Sequence, residues 1–225
     1  DKVAMQKPLE AAAKKGIKII LVDTTVNKPS FAVSEISSNN LKGGQQAFKA
    51  VAELVPGGGK VLGIGVKPGI STTDARDKGF QDSVAASGGK YVSVGQEYSQ
   101  NEPAIAAQIT TAAIAKNPDL KAIFASNLFA AEGAATGIKQ AGKEGQIVVI
   151  AFDAGPDQVK ALKAGTVQAL IAQQPYQIGV AGVQQAMKAI NGQKTTKKIT
   201  TSFTIITKAN VDTPLGKAAQ YRSTC

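Results

Sequence analysis

The chain has 225 residues, 43% of them hydrophobic and 19% charged, a soluble composition long enough for one large core or two small ones. Its formal charge of +10 comes from 26 Lys and Arg against 16 Asp and Glu, yet aromatics make up only 5% and none alternates with the lysines as a base-stacking surface requires. One Cys and no His exclude the usual zinc sites and every His-based nucleophilic triad, and no apolar run approaches the ~18 residues of a membrane span.

An alanine-rich amphipathic helix is predicted over 8–15, stopped by Gly16, and the apolar run 17–22 follows and ends at Asp23. The stretch 31–38 is short and weakly alternating, a candidate crossing between two lobes. Asn39 or Asn40 caps a helix reaching Leu54, ended by Pro56 and three glycines. A strand over 61–66, a glycine-bearing loop and a helix over 72–86 come next. A strand over 91–94 precedes a helix over 103–116, in which Ile105, Ile109 and Ala112 share one face. The rhythm continues with a strand at 122–125, a helix ending near Ala141, a strand at 147–152 and a helix at 156–163. A strand at 167–172 and a helix at 175–190 follow. Lys194, Lys197 and Lys198 read as a turn leading into an edge. A strand at 203–206 closes the pattern, and the tail after Val211 is expected at the periphery.

Strands alternating with helices of this length indicate an α/β fold, with βα units around mostly parallel, doubly wound sheets. Ligands of such sheets bind outside the carboxyl ends of the strands, so the polar residues just past each apolar run are the candidate site. They are Asp23, then 71–76 with Arg76, then Tyr98, Gln100 and Asn101, then Asn127, Asp153 and Gln173. Carboxylates accept from hydroxyls, amides donate and accept, and Arg presents a rigid fork of donors. Such a set suits a small polyhydroxylated ligand. Each residue also has a plainer reading. Asp23 can end a strand in a turn, and Asp153 and Asn127 can cap helices. Arg76 can pair with Asp77 or another surface acid, and Gln173 can lie at the surface.

The glycine-rich stretches are weak signals. Gly57 to Lys60 lacks the spacing of a phosphate loop and precedes a strand rather than following one, and the glycines from 63 to 69 complete no dinucleotide fingerprint. Asp23 and Asp153 have no metal-ligand company, and no nucleophile stands with a base. Neither a cofactor nor a metal is expected, and catalysis is disfavoured. The lysines read chiefly as solvated surface, with attraction to an anionic envelope as the alternative.

Six stretches carry a resemblance: GIKIILVD at 16–23, SNNLKGG at 38–44, TTDARDKGF at 72–80, IFASN at 123–127, VIAFD at 149–153 and IAQQPYQIG at 171–179. In this order they resemble the sugar-binding proteins of bacterial ABC importers, the type I periplasmic binding proteins like the ribose-binding protein. The resemblance implies two lobes: residues 1–38 with 175–200, and residues 39–174 with 201–211, leaving 212–225 as a tail. It implies ligand contacts from Asp23, Arg76, Asn127, Asp153 and Gln173, with Thr24, Tyr98, Gln100 and Asn101 as further candidates. The implied partners are a monosaccharide or polyol and an ABC permease, with no nucleic acid and no insertion of the chain into the membrane. The implied location is periplasmic, with a lipid anchor possible in a longer precursor.

The family has an amino-terminal βαβ segment ahead of the point where Asp1 falls, so the first lobe is expected to be incomplete and its sheet edge exposed. Thr24 and Leu128 stand where ribose-binding relatives carry more polar residues, which leaves room for a hexose, another pentose or a polyol. The rival functions are the ligand-sensing domain of a sugar-responsive transcription repressor and an enzyme of doubly wound fold. The one cysteine, Cys225, ends the sequence and leaves no intrachain disulfide.

Overall fold

The computed structural model describes residues 1–222; Cys225 lies outside the described residues. In chain order the elements are α1 (Gln6–Lys14), β1 (Ile20–Val22), β2 (Ser34–Ser38), α2 (Asn40–Leu54), β3 (Gly59–Gly65) and α3 (Ser71–Ala85). Then come β4 (Tyr91–Tyr98), α4 (Pro103–Lys116), β5 (Leu120–Ala125), α5 (Leu128–Gln140), β6 (Val148–Phe152) and α6 (Pro156–Ala164). The chain finishes with β7 (Ala169–Ala172), α7 (Pro175–Ile190), β8 (Lys198–Thr201), β9 (Thr204–Thr207) and α8 (Pro214–Ala219).

Two sheets form. The larger has the order β4-β3-β5-β6-β7-β9 and is parallel except for β9, which pairs antiparallel with β7. Its inner strands are apolar on both faces because helices cover both: every residue of β7 is buried, as a doubly covered parallel strand requires. One core contains Ile64, Ile123, Val149 and Leu170 beneath α4 and α5; the other contains Phe80, Phe124, Phe152 and Ile171 beneath α2 and α3. The smaller sheet is β1-β2-β8, all parallel. Its core holds Ile19, Leu21, Val26 and Ala32 against Leu9, Ala12 and Ala13 of α1. β1 is an edge strand there, with Val22 46% exposed, and α7 leaves Val183, Met187 and Ile190 exposed along one line.

The chain passes between the sheets three times: after β2, between β7 and α7, and between β8 and β9. The Ser38 and Thr201 hydroxyls, at two of these passages, lie 3.1 Å apart.

One sequence expectation is met: Lys194 and Lys197 lead into an edge, where Lys198 begins a strand that pairs in register with β2 (Glu35 opposite Lys198), its β-branched residues Ile199, Thr200 and Thr201 suited to that half-exposed place. Two are corrected. Residues 34–38 form the central strand of the small sheet, alternately buried, and the chain crosses only after it. The tail does not lie at the periphery: Tyr221 packs against the larger core, and its N–H donates to the Ala154 carbonyl at 2.9 Å.

Candidate functional site

Asp23 and Asp153 occupy equivalent places. Each follows a parallel strand, and each donates its backbone N–H to the next strand: Asp23 to Ile36 at 2.8 Å, Asp153 to Ile171 at 3.0 Å. Each also has a left-handed backbone, with φ of 62° and 76°. Aspartate tolerates that region better than most residues but still at a cost. Positive φ at a non-glycine residue is uncommon, and here it recurs at the ends of two different sheets.

Arg76 interacts electrostatically with both. Its position follows from close helix packing: a Cβ on Gly44 would lie 1.9 Å from the Arg76 carbonyl oxygen, and one on Gly79 2.1 Å from that of Leu41. Only glycine lets α2 and α3 approach this closely. Arg76 is buried. Its Nε donates to Asn40 Oδ1 at 2.8 Å, one terminal nitrogen donates to the Ser126 carbonyl at 2.9 Å, and the guanidinium carbon lies 3.7 Å from the Phe152 ring centroid. The head is thus fixed by a hydrogen-bonded edge and an aromatic face. Burial pulls its pKa down, while Asp153 and then Asp23 hold it up. Burial raises the Asp23 carboxyl, the charge of Arg76 opposes this, and Asp153 adds to it. Arg76 is thus coupled to carboxylates from the ends of both sheets.

Asp153 does not cap the helix after it. Gln158 takes that role, accepting from the Gly155 N–H at 2.9 Å and donating to the Phe152 carbonyl at 2.7 Å. This leaves the Asp153 carboxylate to accept at Oδ1 from Gln173 Nε2 and from the Tyr221 hydroxyl, both at 2.9 Å. Gln173 Oε1 is buried without a partner, and a buried amide oxygen left so is an open acceptor position. Asn127 caps α5 by accepting from the Ala130 N–H at 3.1 Å and also donates to Asn101 Oδ1 at 2.7 Å.

The remaining candidates are placed differently. Tyr98 ends β4, where burial and then the charges of Asp77, Asp74 and Glu97 raise its phenol. Gln100 and Asn101 are exposed, with φ of 55° and 68°. Of the pair, Asn101 alone reaches another candidate. Thr24 makes a backbone bond to Val22 at 2.8 Å and is half-buried.

Sequence reasoning missed Tyr221, Phe152 and the contacts that join the sheets. Thr25 N–H donates to Ser71 Oγ at 2.9 Å, and Lys2 Nζ pairs with Asp74 at 2.6 Å. No sequence signal distinguishes Tyr221, a lone aromatic in a polar tail. Among the described residues no cluster of acids, His and Cys can hold a metal ion.

The chain matches the periplasmic binding protein domain over residues 1–194. It is 32% identical over 208 residues to a ribose import binding protein of Salmonella typhimurium, covering 92% of this chain and 69% of that protein. Two ABC transporter solute binding proteins from Agrobacterium vitis share its fold. The one bound with α-D-tagatopyranose is 38% identical with a TM-score of 0.95, over 99% of this chain and 77% of that one. The one with bound D-fucose is 33% identical with a TM-score of 0.94, over 98% of this chain and 77% of that one.

Proposed function

The chain belongs to the periplasmic binding protein family, and from that premise we propose that it captures a neutral monosaccharide or polyol between two lobes and presents it to an ABC permease. The observation that carries this reading is the triad Asp23, Arg76 and Asp153, in which acids from the ends of two different sheets are coupled to one buried guanidinium. Two carboxylates against one cation repel phosphate and carboxylate ligands, whereas hydroxyls can donate to the acids and accept from the arginine. Ribose, tagatose and fucose, carried in the names of the relatives, are uncharged and rich in hydroxyls.

In this reading Asp23 with Thr24 binds from a lobe of residues 1–38 and 175–200. Arg76, Asn127, Asp153 and Gln173 bind from a lobe of residues 39–174 and 201–211, with Tyr98, Gln100 and Asn101 at the rim. Ligand bridges the lobes and shifts an open–closed equilibrium toward closed, the three passages between the sheets serving as the hinge. The buried, partnerless Gln173 Oε1 is an acceptor for a ligand hydroxyl. The protein performs no chemistry on its ligand and works outside the cytoplasm. The repressor alternative is not favoured, because the relatives are import proteins.

Calorimetric titration against a panel of pentoses, hexoses and polyols tests the proposal. The expected result is one-site binding at micromolar affinity or tighter, abolished by Asp153→Ala. Folded protein that binds nothing in the panel overturns it.

A further inference from the structure

Six of the chain's exposed lysines stand at one end of the small sheet. Lys14 and Lys15 stand at the carboxyl end of α1 and Lys18 leads into β1. Lys188 lies in the last turn of α7, and Lys194 and Lys197 lead into β8. Backbone and side-chain bonds tie these places together where the parallel strands begin. Val33 N–H donates to the Ile19 carbonyl at 2.8 Å, Glu35 N–H to Lys197 at 2.9 Å, and Thr195 Oγ1 to Val33 at 3.1 Å. All six lysines are exposed, and none is in an ion pair among the described residues.

Carboxylates are missing from this end. No Asp or Glu occurs from residue 158 to 211, nor from 11 to 22. Two acids border this end and are outnumbered by the six lysines: Glu10, which accepts from Gln6, and Glu35, in register with Lys198, which accepts from Thr25 Oγ1 at 2.7 Å. Lys197 Nζ donates to the carbonyls of Ser30 and Ala32, which fixes its charge at the same end. The matching end of the large sheet also has lysines but is interrupted by acids: Asp119 pairs with Lys60 at 2.9 Å, and Glu144 follows Lys143.

We propose that this lysine end of the small sheet is a docking surface for the anionic headgroups of a phospholipid bilayer. Lysines are flexible point charges suited to a diffuse anionic plane. Aromatics make up only 5% of the chain, too few to give these lysines a base-stacking surface, and the family works with a membrane permease. The placement is also compatible with capture. The lysines lie at the amino ends of the strands, while Asp23 lies past the carboxyl end of β1, so docking leaves the cleft open.

Flotation of the whole chain with vesicles tests this, using phosphatidylcholine alone and phosphatidylcholine mixed with phosphatidylglycerol, each in low and high salt. The expected result is binding to the anionic vesicles only, lost in high salt through screening. The triple variant Lys14→Gln, Lys15→Gln, Lys18→Gln then partitions about a hundredfold more weakly, from about five-fold per lysine near an anionic surface. Its sugar titration is unchanged, which shows that it is folded. The control Lys116→Gln, Lys121→Gln, Lys139→Gln removes the same charge from the other sheet and keeps the parent's partition. Equal losses in the two triple variants, equal binding to neutral vesicles, or no binding in low salt each overturn the proposal.

Discussion

Tyr221 donates its phenolic hydrogen to Oδ1 of Asp153 at 2.9 Å, and its oxygen accepts the Gln173 backbone N–H at 3.0 Å. One residue from the far end of the chain thereby holds two strand-end residues in one arrangement. Burial, and then the charge of Asp153, pushes the phenol far above its ordinary pKa, so it is a neutral donor at every physiological pH.

Tyr221→Phe keeps the packing and removes both bonds. Unfolding in urea is expected to show a loss of about 1–2 kcal/mol. Sugar affinity is expected to fall as well, because the Asp153 carboxylate loses one of its two restraints.

Arg76 separates charge from shape. In Arg76→Met the side chain still fills the space over Phe152, but Asp23 and Asp153 lose the cation that offsets them. A loss of about 3–5 kcal/mol in denaturant stability is expected. Arg76→Lys should be less destabilising, yet it cannot reproduce the fork that reaches Asn40 and Ser126 together. Sugar binding is therefore expected to fail in calorimetry even where the fold survives.

Asp77 gives a pH dependence. It is buried, its Oδ1 has no hydrogen-bond partner, and burial outweighs the nearby Ser126 and Arg76 to push its pKa up to about 7. The native state therefore keeps a proton that the unfolded chain releases near the ordinary value of 3.8. The stability this gives is complete below about pH 4, is lost as pH rises toward 7 and stays lost above it, a total of about 4 kcal/mol. Thermal melts of Asp77→Asn should show a shallower slope across that window and a higher Tm than the parent at pH 8. Asp23, raised in the same direction, preserves part of the slope.

Gly44→Ala tests the close approach of α2 and α3. The new methyl would stand 1.9 Å from the backbone oxygen of Arg76, which cannot rotate away. A loss of more than about 3 kcal/mol is expected, larger than the ~1 kcal/mol that helix propensity alone would return in favour of Ala. An equal or higher Tm would show that the helices can part without cost.

Much of the architecture is local in origin and so was legible in the residues. Apolar runs ending in Asp23, Asn127, Asp153 and Gln173 alternate with helices, and a parallel sheet places such ends on one side. The limits of α4 and α7 follow from Pro103 and Pro175 at their starts and Asn39 is the cap of α2, all short-range chemistry. At 198–201 the lysines signalled an edge but the span of the strand stayed hidden, since an edge strand needs no continuous apolar signal. The two plainer readings of Asn127 and Asp153 also diverged for a reason outside their own neighbourhoods: Asn127 does cap its helix, while Gln158 occupies the place Asp153 would have filled.

The sequence by itself determined the α/β class, the order of elements and the polar residues waiting at the strand ends, because those depend on neighbours a few positions away. Only the tertiary structure decided that Arg76 is buried and coupled to two acids from different sheets, that Tyr221 returns to restrain Asp153, and that six lysines share one end. Those relations join residues up to 183 positions apart, as with Lys14 and Lys197. They exist because helix packing, sheet pairing and burial, which act through space, bring those places together.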